Sequence, residues 1–137
     1  MSRRYVPARG DAIWQTFTPQ AGHEQAGRRR ALVLSPASYN GKVGLAILCP
    51  ITSQVKGYPF EVATPPRSRV SGVILADQVK SLDWRVRQAE FICKLPRETT
   101  VEVLERLGAL LFDASQPPRS RARINLSPQR RGDDVAS

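Results

Sequence analysis

From residue 11 to residue 93 the sequence is a series of short apolar runs, each stopped by a turn former before it can build a long helix. Asp11-Ala-Ile-Trp-Gln-Thr-Phe17 alternates in polarity, sets Ile13 and Trp14 on opposite faces, and ends at Thr18-Pro19. Arg30–Ser35 ends at Pro36, Gly44–Cys49 runs into Pro50, and Tyr58–Val62, Gly72–Ala76 and Ala89–Cys93 continue the series. Runs of this length bounded by Gly and Pro predict strands, and the missing N–H of Pro50 suits a strand end or a bulge. Five to seven such strands can bury a core only as a small barrel or sandwich. The period changes once. In Thr99–Leu111, Val101, Leu104, Leu107 and Leu111 recur at spacings of three and four, which predicts one terminal helix with its leucine stripe on the core. Thr99 and Glu102 have the spacing of a capping box at its start. The expected fold class is mainly β with a C-terminal helix.

The 137 residues have the size of a single domain. After Phe112 the chain turns to Pro, Ser and Arg with few large apolar residues, too few to offset the entropy of ordering it. Residues 1–112 are therefore expected to fold and 113–137 to form a flexible basic tail. No apolar run approaches the roughly 20 residues of a spanning helix. Met1–Pro7 is basic and leads into Ala-Arg-Gly-Asp, not an apolar segment, so the expected location is the cytoplasm, away from membranes. Cys49 and Cys93 lie inside apolar runs and read as reduced core thiols.

Charge narrows the partners. Lys and Arg number 21 against 12 Asp and Glu, a formal charge of +9. Sixteen basic and nine acidic residues fall within 1–112, so most of the excess belongs to the folded part. Such a field attracts a polyanion, either nucleic acid or an acidic protein segment. His23 is the only histidine, which removes two-imidazole mechanisms and multi-histidine zinc sites. Asp11, Glu24, Glu61, Asp77 and Asp83 are scattered with no metal motif, and the phosphate-loop, dinucleotide and nucleophile-elbow patterns are missing. No metal or cofactor is expected. The remaining unusual feature is a long, polar, glycine-punctuated connection, Thr18–Arg30, ending in three consecutive arginines.

Gly10-Asp11-Ala-Ile-Trp14, Gly22-His-Glu-Gln-Ala-Gly27 with the following Arg-Arg-Arg-Ala-Leu-Val-Leu-Ser35, Pro50-Ile-Thr-Ser-Gln54, Lys56-Gly-Tyr-Pro-Phe60 and Leu75-Ala-Asp-Gln-Val-Lys-Ser81 stand in one order along the chain. Over residues 4–112 this pattern resembles the MazF/PemK family of toxin endoribonucleases. The resemblance implies a small SH3-like barrel with a terminal helix, a homodimer, cleavage of single-stranded RNA, and inhibition by a cognate acidic, MazE-like antitoxin. It places the family's catalytic arginine on Arg29 and its catalytic threonine on Thr52. The usual Arg-Pro-Ala is here Arg29-Arg30-Ala31, which leaves Arg28 and Arg30 as alternatives for the arginine.

The chemistry needs no metal if the 2′-hydroxyl of RNA attacks its own adjacent phosphorus. The protein then has to stabilise a dianionic phosphorane, which a planar guanidinium does through bidentate hydrogen bonds. Arg29 is the candidate for that role, and Thr52 for a hydrogen bond to a phosphoryl oxygen or a proton relay. Phe17 is the candidate platform for stacking a base; His23, Glu24 and Gln25 in the loop, with Gln54 and Gln78, would read base edges, and Lys56 and Lys80 would hold phosphates. Two non-cleaving alternatives stand beside this one: a gyrase inhibitor like the related toxin CcdB, and a basic nucleic-acid-binding barrel without catalysis.

Overall fold

The computed structural model describes residues 5–16 and 27–112. Seven strands follow in order: β1 (Asp11–Thr16), β2 (Arg28–Val33), β3 (Leu45–Thr52), β4 (Glu61–Ala63), β5 (Val73–Leu75), β6 (Lys80–Asp83) and β7 (Glu90–Lys94). Helix α1 (Ala37–Val43) lies between β2 and β3, and α2 (Arg97–Leu111) closes the described part. The sheet is antiparallel with order β4-β5-β3-β2-β1-β7, and β6 also pairs with β3. The expected fold class is therefore found, with one correction: among the described residues β4 and β7 end the path without meeting, so the sheet is open and is not a closed barrel.

Alternation along the strands gives the sheet two apolar faces. Ala12, Leu32, Leu34, Cys49 and Ile51 pack with Val62, Ile74, Leu95 and Val103 of α2. Ile13, Ala31, Val33, Ala46 and Leu48 form a second cluster with Trp84. Ile13 is fully buried and Trp14 is 39% exposed, as the alternation predicts.

Strand β3 carries β2 along one edge and divides the other between β6 and β5. Leu34 N donates to Ile47 O (2.8 Å), so by alternation the main-chain groups of Cys49 and Ile51 face β2 and those of Pro50 face the divided edge. On that edge β6 ends at the pair Lys80↔Leu48 and β5 starts at Ile74↔Ile51. Pro50 thus occupies the gap, where no strand needs its missing N–H.

Helix α1 carries no apolar periodicity and has no counterpart in the sequence reading. It is held by one buried polar residue: Asn40 Nδ2 donates to Pro7 O (2.7 Å) and Ser35 O (3.0 Å), Asn40 Oδ1 accepts from Ser35 Oγ (2.6 Å), and Asn40 O accepts from Trp84 Nε1 (3.0 Å).

Helix α2 corrects two further expectations. It starts at Arg97 behind Pro96 with no side-chain cap, so Thr99 lies in the first turn, buried, and the capping box does not form. Its inward residues are Thr99, Thr100, Val103 and Leu107, while Leu104 and Leu111 are 39% and 70% exposed. Both sets contain spacings of three and four, and the packing puts Thr99 and Thr100 on the inner face beside Val103.

Candidate active site

At the end of the sheet where β2 begins and β3 finishes, a groove of about 650 Å³ is lined by Trp14, Arg29, Pro50, Thr52, Gln78 and Lys80, among others. A second hollow of about 270 Å³ shares Thr52, Gln54, Leu75 and Gln78 with it and extends it toward Lys56, Tyr58 and Glu61. The six described candidates Arg29, Thr52, Gln54, Lys56, Gln78 and Lys80 therefore lie along one continuous surface. Phe17, His23, Glu24 and Gln25 fall outside the described residues, as does the segment 113–137.

The three arginines are separated by strand parity. Arg28 Nη2 pairs with Glu90 Oε1 (2.9 Å), and its Nη1 donates to Gln88 O (3.0 Å). Arg30 Nη1 donates to Ser71 O (2.8 Å). Both side chains are committed to neighbouring segments. Arg29 points to the opposite face, is exposed, and has no hydrogen-bond or ion-pair partner among the described residues. That face also carries Thr52, because Arg30 pairs with Ile51 and the next step in the antiparallel register sets Arg29 against Thr52.

Thr52 is held from two sides. Its Oγ1 accepts a hydrogen bond from Gln54 N (3.1 Å), which leaves the hydroxyl proton available to a ligand. Behind it Gly72, at φ +131°, comes so close that a Cβ there would stand 2.2 Å from Thr52 O. Among the described residues Glu61 is the one carboxylate lining the two hollows, and it is occupied, accepting from Lys56 N (2.9 Å) and Gly57 N (3.0 Å). The surface is therefore cationic, with Arg28, Arg29, Arg30, Lys56 and Lys80 around it. Among the described residues no three His, Cys, Asp or Glu side chains group as metal ligands.

Sequence reasoning missed Trp14 and Tyr58 as members of this surface. For Trp14 alternation signalled exposure, since it stands opposite the buried Ile13, but it pairs with Arg30 and shares that arginine's face of the sheet, so alternation alone did not place it in the groove. Tyr58 donates to Asp77 Oδ2, and its pKa is raised first by that bond to a carboxylate, then by desolvation and the charges of Asp77 and Glu61. It stays a protonated donor. Only the spatial return of β5 reveals that contact, across 19 positions of sequence.

Residues 8–111 match the model of a family described as the PemK-like, MazF-like toxin of type II toxin-antitoxin systems. The endoribonuclease toxin MazF of Escherichia coli strain K12 is 56% identical over 89 residues, covering 65% of this chain and 79% of its own length. A crystal structure of MazF from Deinococcus radiodurans superposes with a TM-score of 0.72 at 58% identity, covering 79% of this chain and 98% of that one. A crystal structure of a MazE–MazF complex from the same organism gives 0.72 at 56% identity, covering 78% and 97%.

Proposed function

Since the chain belongs to the PemK-like, MazF-like family of endoribonuclease toxins of type II toxin-antitoxin systems, we propose that its groove cuts single-stranded RNA through attack of the substrate's own 2′-hydroxyl. The observation that carries this is the shared position of Arg29 and Thr52 in the lining of one groove. They meet on one face of adjacent strands in a cationic groove, and Arg29 is free of the contacts that occupy Arg28 and Arg30.

The steps follow from those groups. The 2′-oxygen bonds to phosphorus, its proton passes to a solvent water, and the phosphorane gathers charge on the two non-bridging oxygens. The Arg29 fork donates to that charge, and the Thr52 hydroxyl, already fixed by Gln54 N, donates its own proton to the same group. The bond to the 5′-oxygen then breaks and that oxygen takes a proton from water, giving a 2′,3′-cyclic phosphate and a 5′-hydroxyl. A guanidinium pKa above about 12 suits charge stabilisation and not proton abstraction. Lys56 and Lys80 hold flanking phosphates, Gln54 and Gln78 face base edges, and the exposed indole of Trp14 joins Phe17 as a stacking surface. His23, Glu24 and Gln25 of the connection before β2 would read further base edges. Duplex RNA is spared because its base edges are turned inward.

The relatives are endoribonucleases, which sets aside the two non-cleaving alternatives. The MazE–MazF complexes support an acidic, MazE-like antitoxin that covers the cationic groove. The exposed Leu110, Leu111 and Phe112 support burial of this end of α2 in a homodimer. No helix among the described residues is long and apolar enough to cross a membrane, in keeping with action on cytoplasmic RNA.

The deciding experiment is incubation with a defined single-stranded RNA in EDTA, followed by mapping of the ends. Cyclic phosphate and 5′-hydroxyl ends are expected, and a single 2′-O-methyl group at the cut position abolishes the product. Efficient cutting of the methylated strand, or dependence on added metal, overturns the mechanism.

A further inference from the structure

We propose that the N-terminus of α2 forms a phosphate-binding site, separate from the groove and at the other end of β1. A cavity of about 380 Å³ opens there, lined chiefly by Arg9, Gly10, Lys94, Arg97, Thr100 and Leu104, and none of its lining residues lines the groove.

Three observations converge on an oxyanion. Arg9, Lys94 and Arg97 surround the cavity with cationic donors. Arg9 Nε is fixed on Leu34 O (2.6 Å), which orients the rest of its fork. Lys94 Nζ bonds Asp11 Oδ1 (2.7 Å) and Arg9 O (3.0 Å), leaving one of its three protons unassigned. Asp11 is buried, and beyond Lys94 it also accepts from Tyr5 and from Ala8 N, so its charge is already answered. Glu98, also in the first turn of α2, does not line the cavity.

The second observation is Thr100. It is 4% exposed, and its Oγ1 has no hydrogen-bond partner among the described residues. A buried hydroxyl without a partner is costly, and one at the wall of a cationic cavity is a donor waiting for an acceptor. It faces a notch left by Gly10: a Cβ there would stand 3.6 Å from Thr100 Oγ1 and 3.3 Å from Lys94 Cδ, and φ +94° is a conformation that glycine adopts without strain.

The third is the helix end itself. α2 has 15 residues and Pro96 as its N-cap, with no side-chain cap. Its hydrogen bonds begin with Thr99 N and Thr100 N on Pro96 O, so the amides of the turn before them lack helical acceptors, and the positive end of the helix dipole lies at Arg97. A ligand with several acceptor oxygens arranged in three dimensions answers the fork, the ammonium and the hydroxyl together. That is a tetrahedral phosphate, either free or at the end of a nucleic-acid strand.

The test is a titration of the full chain followed through its amide resonances. Inorganic phosphate is added at constant ionic strength against chloride, and in parallel a DNA oligonucleotide with or without a 5′-phosphate. Saturable shifts at Gly10, Arg97 and Thr100 with phosphate but not chloride are expected. Thr100→Val should weaken the binding about tenfold, and Thr100→Ser should restore it. Tighter saturation by the 5′-phosphorylated strand than by its unphosphorylated form identifies a strand end as the ligand; equal behaviour of the two strands, with inorganic phosphate still saturating, identifies free phosphate. RNA cleavage by Thr100→Val should match the wild type, so loss of this site and failure of the groove assignment read out separately. Shifts that rise linearly with phosphate, or saturate equally in Thr100→Val, overturn the proposal.

Discussion

Replacing Gly72 by alanine probes the groove without touching any side chain in it. At φ +131° the backbone of residue 72 is in a region that only glycine occupies freely, which costs about 1–3 kcal/mol for any other residue. The new Cβ would also stand 2.2 Å from Thr52 O, 2.9 Å from Thr52 C and 3.2 Å from Ser53 Cα, whereas ordinary contact begins at 3.4 Å. The neighbours are backbone, so nothing can swing aside. Strands β3 and β5, joined there by the pair Thr52↔Val73, have to part by about 1 Å, and a displacement of about 1 Å at a reacting centre costs on the order of 100-fold in rate. Single-turnover cleavage of a fluorogenic single-stranded RNA should show that loss, and the melting temperature should fall by about 10 °C or more for a destabilisation of about 3 kcal/mol. Gly57→Ala is the control: at φ +76° with nothing within 4 Å, it bears a conformational cost of about 1–2 kcal/mol and no clash, so cleavage should be affected far less. If Gly72→Ala cleaves RNA within about twofold of the wild type, the close approach to Thr52 does not position it.

Arg29→Ala and Thr52→Ala should each slow cleavage by at least about 100-fold with little change in melting temperature. Arg28→Ala should instead lose about 1 kcal/mol of stability with its Glu90 pair, and a greater rate loss for Arg28→Ala or Arg30→Ala than for Arg29→Ala would move the assignment by one residue. The Cys49 thiol is pushed from 9.0 up to about 12, first by burial and then by the charge of Asp77, so it should resist thiol reagents near pH 8 until denaturant is added. Its folded pKa lies above the unfolded one; the corresponding stability is complete below about pH 9 and declines as pH rises toward about 12, so a Cys49→Ser chain whose urea midpoint fell equally over that range would contradict the assignment. Deleting 113–137 should leave both cleavage and a dimer by light scattering intact, and a monomer or an inactive product would overturn that expectation.

How much of this was legible in the sequence depended on where the information lay. Apolar runs marked the presence of β1, β2 and β3, because burial on alternate faces writes itself into the residue order, but proline misplaced their ends: β3 continues through Pro50 to Thr52, and β2 begins at Arg28 and stops at Val33. Helix α1 and strand β6 were not legible. Asn40 holds α1 through partners at positions 7, 35 and 84, and Lys80-Ser-Leu-Asp83 owes its conformation to the edge that β3 offers. On α2 two overlapping stripes had the same spacing, and only packing chose between them. In the candidate site, Arg29 and Thr52 came from the family pattern, but their separation from Arg28 and Arg30 came from strand parity, which three identical neighbours cannot reveal by type. The Thr52–Gly72 contact joins backbones, and side-chain chemistry carries no trace of it.

The divided edge of β3 also has a consequence in time. On the ribosome β2 and β3 can pair as soon as Thr52 is free, bringing Arg29 and Thr52 opposite one another. The wall carrying Gln78 and Lys80 is still unmade at that moment, because β5 and β6 lie further along the chain. The interval from Thr52 to Asp83 takes roughly 2–6 s at ordinary elongation rates. During it the emerging polypeptide carries the proposed Arg29 and Thr52 pair beside a half-built binding surface. If Gln78 and Lys80 bind RNA as proposed, assembly of the last wall sets the moment at which a newly made toxin can grip it.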